Sequence, residues 1–206
     1  MACRDCGALE ARVTLGGVEV CDRCCDWRIA EHTGFTRLPD PPPPLSFDDS
    51  DGRRHRLAFR VWRAPTGIKV ELEETGVPDD EGFRFAVLGD HEADVDTLVQ
   101  RVKVLAEREV SHRYLEPASH REGWATVGDE VAGRLVWNDE GVDGRPFNVV
   151  IDGRTLTWEE LGCALDSYEG WRFRLVIESS IDDSRSDAEV IKLMSDPSTT
   201  GASDGG

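Results

Sequence analysis

The sequence is poor in lysine. Of 24 basic residues in a chain of 206, only Lys69, Lys103 and Lys192 are lysines, and the rest are arginines. Acidic residues number 41, which sets the formal net charge at −17. Phosphate contacts supply most nucleic-acid affinity, so a field of this sign argues against nucleic acid as a partner. It disfavours anionic membrane surfaces for the same reason. Abundant acid with scarce lysine suits a halophile's high-salt cytoplasm, where self-repulsion is screened. GC-rich coding also favours Arg over Lys, and both explanations stay open.

Further absences narrow the chemistry. There is no run of about 18 apolar residues, so no transmembrane helix is expected. The first residues, Met1 to Cys6, contain none of the apolar stretch of a secretory signal. The expected compartment is therefore the cytoplasm. Thiols there stay reduced, and paired cysteines bind metal more often than they form disulfides. The HExxH, GxSxG, GxGxxG and GxxxxGK[ST] patterns are all missing.

The strongest chemical pattern present is Cys3-x2-Cys6-x14-Cys21-x2-Cys24. Two CxxC pairs can each give two thiolates to one tetrahedral ion, and zinc is the expected metal. Four thiolates leave no open coordination position, so the role read from the pattern is structural. Cys25 and His32 remain open as substitutes for a member of this set. Between the pairs, two short alternating runs flank Gly16-Gly17 and predict a β-hairpin. A hairpin between two CxxC knuckles is the layout of a zinc ribbon. A short helix is expected from Asp26 to His32.

The predicted organisation has four parts. Residues 1–36 form the zinc-ribbon-like head. Residues 37–45 form a stiff, proline-rich linker. Residues 46–179 form one α+β domain, and residues 180–206 an acidic tail too polar to pack.

Within the body, Leu57, Phe59 and Val61, then Ile68, Val70 and Leu72, alternate with more polar neighbours. The pattern predicts two strands joined by the Ala64-to-Gly67 turn. A third strand covers Phe83 to Val87. Val95, Leu98, Val99, Val102, Leu105 and Ala106 then share a helical stripe, capped by Asp94 and expected to run to Leu115. Strands follow at Val131–Trp137 and Phe147–Ile151, with a loop expected at 118–129. Asp152-Gly153 makes a turn. Thr157 and Glu160 form a capping box for a second helix. Trp171, Phe173, Leu175 and Ile177 mark one face of a closing strand. The fold class read from this order is α+β, a mainly antiparallel sheet with two helices packed on one face.

The segments Gly133–Asn138, Val149–Gly153, Thr157–Gly162 and Tyr168–Ile177 resemble a prokaryotic domain-of-unknown-function family. Its members are often found behind a short cysteine-rich head. The resemblance covers roughly residues 83–178 and implies no catalytic residue.

Three functional readings follow. The leading one is a zinc-binding interaction or adaptor protein whose partner is another protein. The second is an enzyme with a site in the α+β domain around His91, His112 or Cys163, which requires these side chains to meet. The third is a transcription-linked ribbon touching nucleic acid, and the acidic head weakens it. Cys163 lies off the apolar stripe of its helix among acidic neighbours, the opposite of what activates a thiol. It reads as a small packing residue. Gly162 beside it suggests a close approach, within the chain or against a partner. Trp62 is expected on the helix-free face of the sheet, where an exposed indole would serve binding.

Overall fold

The computed structural model describes residues 1–7, 10–78, 81–138 and 147–177. Strands β1 (Val13–Leu15) and β2 (Val18–Val20) form the expected hairpin, with Leu15 opposite Val18. Gly16 and Gly17 both have positive φ, 58° and 78°. A two-residue turn matched to strand twist requires this, and glycine supplies it without strain.

Helix α1 (Asp22–Thr33) follows at once. It starts four residues earlier than the sequence suggests, because Cys21 itself is the extended N-cap residue. It stops at Gly34, whose left-handed backbone lets its N–H close on the Ala30 carbonyl at 2.9 Å. No regular secondary structure spans 34–44, the proline-rich connection.

The body opens with β3 (Leu45–Asp48), β4 (Arg54–Ala64), β5 (Gly67–Glu74) and β6 (Arg84–Gly89), an antiparallel sheet in that order. β3 is an element the periodicity reading missed. Phe59 faces Leu72 and Val61 faces Val70 across the β4–β5 pair, so the apolar rows share one side. Helix α2 (Val95–Ser111) covers that side with Leu98, Val99, Val102, Ala106 and Val110, all buried. Asp94 caps it as expected, accepting from Thr97 N at 3.0 Å. The helix ends at Ser111 rather than Leu115, because Leu115 belongs to the next core.

That second core is built by a hairpin of β7 (Leu115–Pro117) and β8 (Trp124–Thr126), the latter inside the stretch 118–129 where a loop was expected. It is joined by a three-stranded antiparallel sheet of β9 (Arg134–Trp137), β10 (Phe147–Ile151) and β11 (Arg154–Leu156), in the order β11-β10-β9. Helix α3 (Trp158–Ala164) and a 3-10 turn (Asp166–Tyr168) complete it. Leu115, Val149, Ile151, Leu156 and Ala164 are its buried centre. The capping box of α3 is present in full, with Glu160 N donating to Thr157 Oγ1 and Thr157 N to Glu160 Oε2. The class is α+β with antiparallel sheets, and α2 and α3 lie against different sheets.

The closing strand expected at Trp171–Ile177 does not form: among the described residues the segment has no strand partner, and every residue in it is exposed. The alternating pattern is real, but a pattern makes a strand only where a neighbour supplies hydrogen bonds. The segment expected between β9 and β10, from 139 to 146, and the tail from 180 onward lie outside the described residues.

Candidate metal centre

Four sulfurs converge at the N-terminus. The Sγ atoms of Cys3, Cys6, Cys21 and Cys24 all lie within 4.8 Å of one another. Cys6 and Cys21 are 3.9 Å apart. Four thiolates at about 2.3 Å around one ion would stand roughly 3.8 Å apart. A disulfide needs about 2.05 Å, and none of the six cysteines is joined in one. Spacing and donor type therefore fit a metal ion held by four sulfurs. Cys25 and His32 fall outside the cluster. Cys25 is buried nearby, while His32 is exposed with Nδ1 against the Arg28 carbonyl at 2.9 Å.

The local structure explains the convergence. The first pair sits on a tight turn, where Gly7 N donates to the Cys3 carbonyl at 2.8 Å. The second pair is the first turn of α1 rather than a second β-knuckle. Its backbone N–H groups and the positive helix end favour negative charge there. The β1–β2 hairpin carries Val20, fully buried, against Cys3, Cys21, Cys24 and Cys25. Arg28, one turn beyond Cys24, clamps Asp5 between the first two cysteines with bonds of 2.7 and 2.6 Å. The Arg28 guanidinium also holds the Asp5 carboxyl below its usual range. A separation of 23 residues hid this clamp from any local pattern.

The thiols are electrostatically unequal without an ion. The backbone N–H of Cys6, against an opposing effect of burial, lowers Cys3 to about 6. Burial pushes Cys21 and Cys24 up. Burial, then the charges of Asp22 and Asp26, also raises Cys25, so it stays protonated and unreactive. Loading a metal must displace the remaining protons, so affinity falls with acidification.

The head is bound to the body by α1, which packs against β4. Asp22 receives Arg60 in two bonds of 2.5 and 2.7 Å. Asp26, two residues beyond Cys24, accepts from Arg63 Nε at 3.1 Å and from Leu38 N at 2.9 Å. Both side chains of the Asp26–Arg63 pair are only 3% exposed. Arg63 also donates to the carbonyls of Thr36 at 3.0 Å and His91 at 3.3 Å. Its guanidinium lies 4.7 Å from the centre of the Phe35 ring. One side chain thus links the head, the connection and the sheet.

Trp62 is on the face away from α2, but that face is not helix-free as expected: α1 packs on it through Arg60, and Trp62 is half-buried. It sits between Arg60 and Lys69, with Nε1 donating to Glu71 at 3.3 Å. His91, His112 and Cys163 do not come together. His91 stacks on Phe35 with ring centres 5.2 Å apart, and His112 lies on Tyr114. Cys163 is exposed on α3, its carbonyl bonded by Arg121. A side chain at Gly162 would meet nothing within 4 Å, so no close approach among the described residues explains that glycine.

The sequence reading gave no role to His55, which is buried between two carboxylates. Its Nδ1 is 2.7 Å from Glu74 and its Nε2 3.0 Å from Asp49. Among the described residues, the cysteine cluster is the one group of metal-ligating side chains close enough to hold an ion.

Fold and site together define an α+β protein with a four-cysteine centre docked on its first sheet. Residues 39–111 match the model of Domain of unknown function (DUF7686), and residues 114–182 that of Domain of unknown function (DUF7713). The two matches meet where α2 ends and the second core begins. No curated protein and no solved structure matches the chain.

Proposed function

We propose that this is a zinc-binding interaction protein, in which a structural ion fixes the head and the head presents a surface to another protein. The observation that carries the reading is the set of four sulfurs within 4.8 Å of one another, three of them on buried residues, with both carriers clamped by Asp5 and Arg28. Zinc is the ion that four thiolates at this spacing suit. When bound, it supplies folding free energy to a segment too small for its own core. The chain's own residues supply the rest. The helix start and knuckle N–H groups favour thiolate, Val20 and the hairpin exclude water, and Asp22 and Asp26 carry the ordered helix onto β4. The acidic surface favours a protein partner over nucleic acid.

Metal analysis of the native chain tests the reading, with one zinc per chain expected. Cys6→Ser should lose that zinc while leaving the α2 sheet core folded. A metal-free, folded native chain, or undiminished zinc in the variant, would overturn it. Proteins that co-purify with the native chain but not with Cys6→Ser identify the partner.

A further inference from the structure

Residues 171–177 carry an apolar row with no cover. Trp171 is 66% exposed, Phe173 92%, Leu175 67% and Ile177 69%. This row alternates with Arg172 and Arg174, the period of a strand with one buried face. The segment is not a stray tail: the family match over 114–182 includes it. The three-stranded sheet ends at β9, which among the described residues has no strand on its outer side. Leu135 on β9 is 45% exposed and Trp137 62%, with Phe147 set edge-on against Trp137 at 5.2 Å. Among the described residues, one chain therefore shows an unpaired strand sequence and an unpaired strand edge, both apolar.

We propose that a second copy of this chain closes them. Each copy lays its 171–177 segment along the other's β9, placing Phe173 and Leu175 beside Leu135 and Trp137. Backbone hydrogen bonds along the edge give the affinity, and the apolar row sets the register. The exchange is reciprocal, so the contact closes as a twofold dimer. Arg172 and Arg174, the segment's charges, are opposite in sign to the net charge of −17 and offset part of the repulsion between two acidic copies.

Area favours it. At 150–250 Å² per aromatic side chain, the exposed parts of Trp137, Phe147, Trp171 and Phe173 make about 500 Å² per contact. Two contacts double that, and Leu135, Leu175 and Ile177 carry the total past the roughly 1,200 Å² where stable interfaces begin. The zinc head takes no part, so this inference stands or falls separately from the metal.

Sedimentation equilibrium on the full chain should give twice the 22.9 kDa chain mass. The double change Phe173→Asp with Leu175→Asp alters only exposed side chains and should weaken association about 100-fold or more. Leu135→Asp, on the receiving edge, should do the same. Hydrogen exchange should find the 172–176 amides protected in the dimer and open in the variants. A monomeric native chain overturns the proposal, whether its segment is protected on its own sheet or binds a different protein. A dimer that persists in either variant overturns it as well.

Discussion

Replacing Asp26 by Ala strands the Arg63 guanidinium, 3% exposed, without its carboxylate. Breaking a buried ion pair by removing one partner costs about 3–5 kcal/mol, because the remaining charge stays desolvated. Arg63 keeps its bonds to the Thr36 and His91 carbonyls, so the lower end, about 3 kcal/mol, is expected. With a urea m-value of about 2–3 kcal/mol/M for a chain of this size, the midpoint should fall by roughly 1 M. Two probes make the assay specific. In variants that keep only Trp27 or only Trp62 of the six tryptophans, Trp27 reports the head and Trp62 the sheet; the pair spans both, so both transitions should move together. Asp26→Leu combined with Arg63→Met should recover much of the loss, since apolar replacement of a buried pair is often neutral. A midpoint unchanged in Asp26→Ala would refute the claim that head and sheet are locked through this pair. So would a shift seen only by Trp27.

Other consequences are more local. Asp49 feels burial pushing its carboxyl up, but the His55 ring and the Asp51 and Arg53 N–H groups outweigh it and lower its pKa. Its stabilising contribution is therefore complete above the unfolded Asp value of about 3.9 and is lost as pH falls through the lower folded value. Asp49→Asn should cost about 1.5–3 kcal/mol at neutral pH and flatten the acid limb of a stability–pH curve; an acid limb as steep as the native one would contradict this. Gly67→Ala would drive a methyl to 1.9 Å from the Gly89 carbonyl oxygen, at a φ of 148°. Thermal unfolding should register a loss of about 2 kcal/mol or more.

Legibility followed range. The Gly16-Gly17 hairpin, the Ala64–Gly67 turn, the Asp94 cap and the Thr157–Glu160 box are set by residues within a few positions of each other, and each is where the sequence places it. The four cysteines announce themselves by spacing alone. What escaped depends on distant partners. Arg28 with Asp5, Arg63 with Asp26 and His55 with Glu74 join residues 23, 37 and 19 positions apart, and no periodicity marks such a pair. The start of α1 was hidden because Cys21 reads as a ligand rather than a cap. β3, β7 and β8 are only three or four residues long, too short to show a period. Trp171–Ile177 erred the other way: its alternation names a strand, and only the structure reveals that the described residues provide it no neighbour.

The central claim is that Cys3, Cys6, Cys21 and Cys24 hold one zinc ion between the knuckle and the first turn of α1. X-ray absorption at the zinc edge of the native chain measures this directly. The account predicts a first shell of four sulfurs at about 2.3 Å, with no nitrogen or oxygen donor. A shell containing His nitrogen or carboxylate oxygen would contradict it, as would a chain that carries no zinc and has these cysteines joined as disulfides.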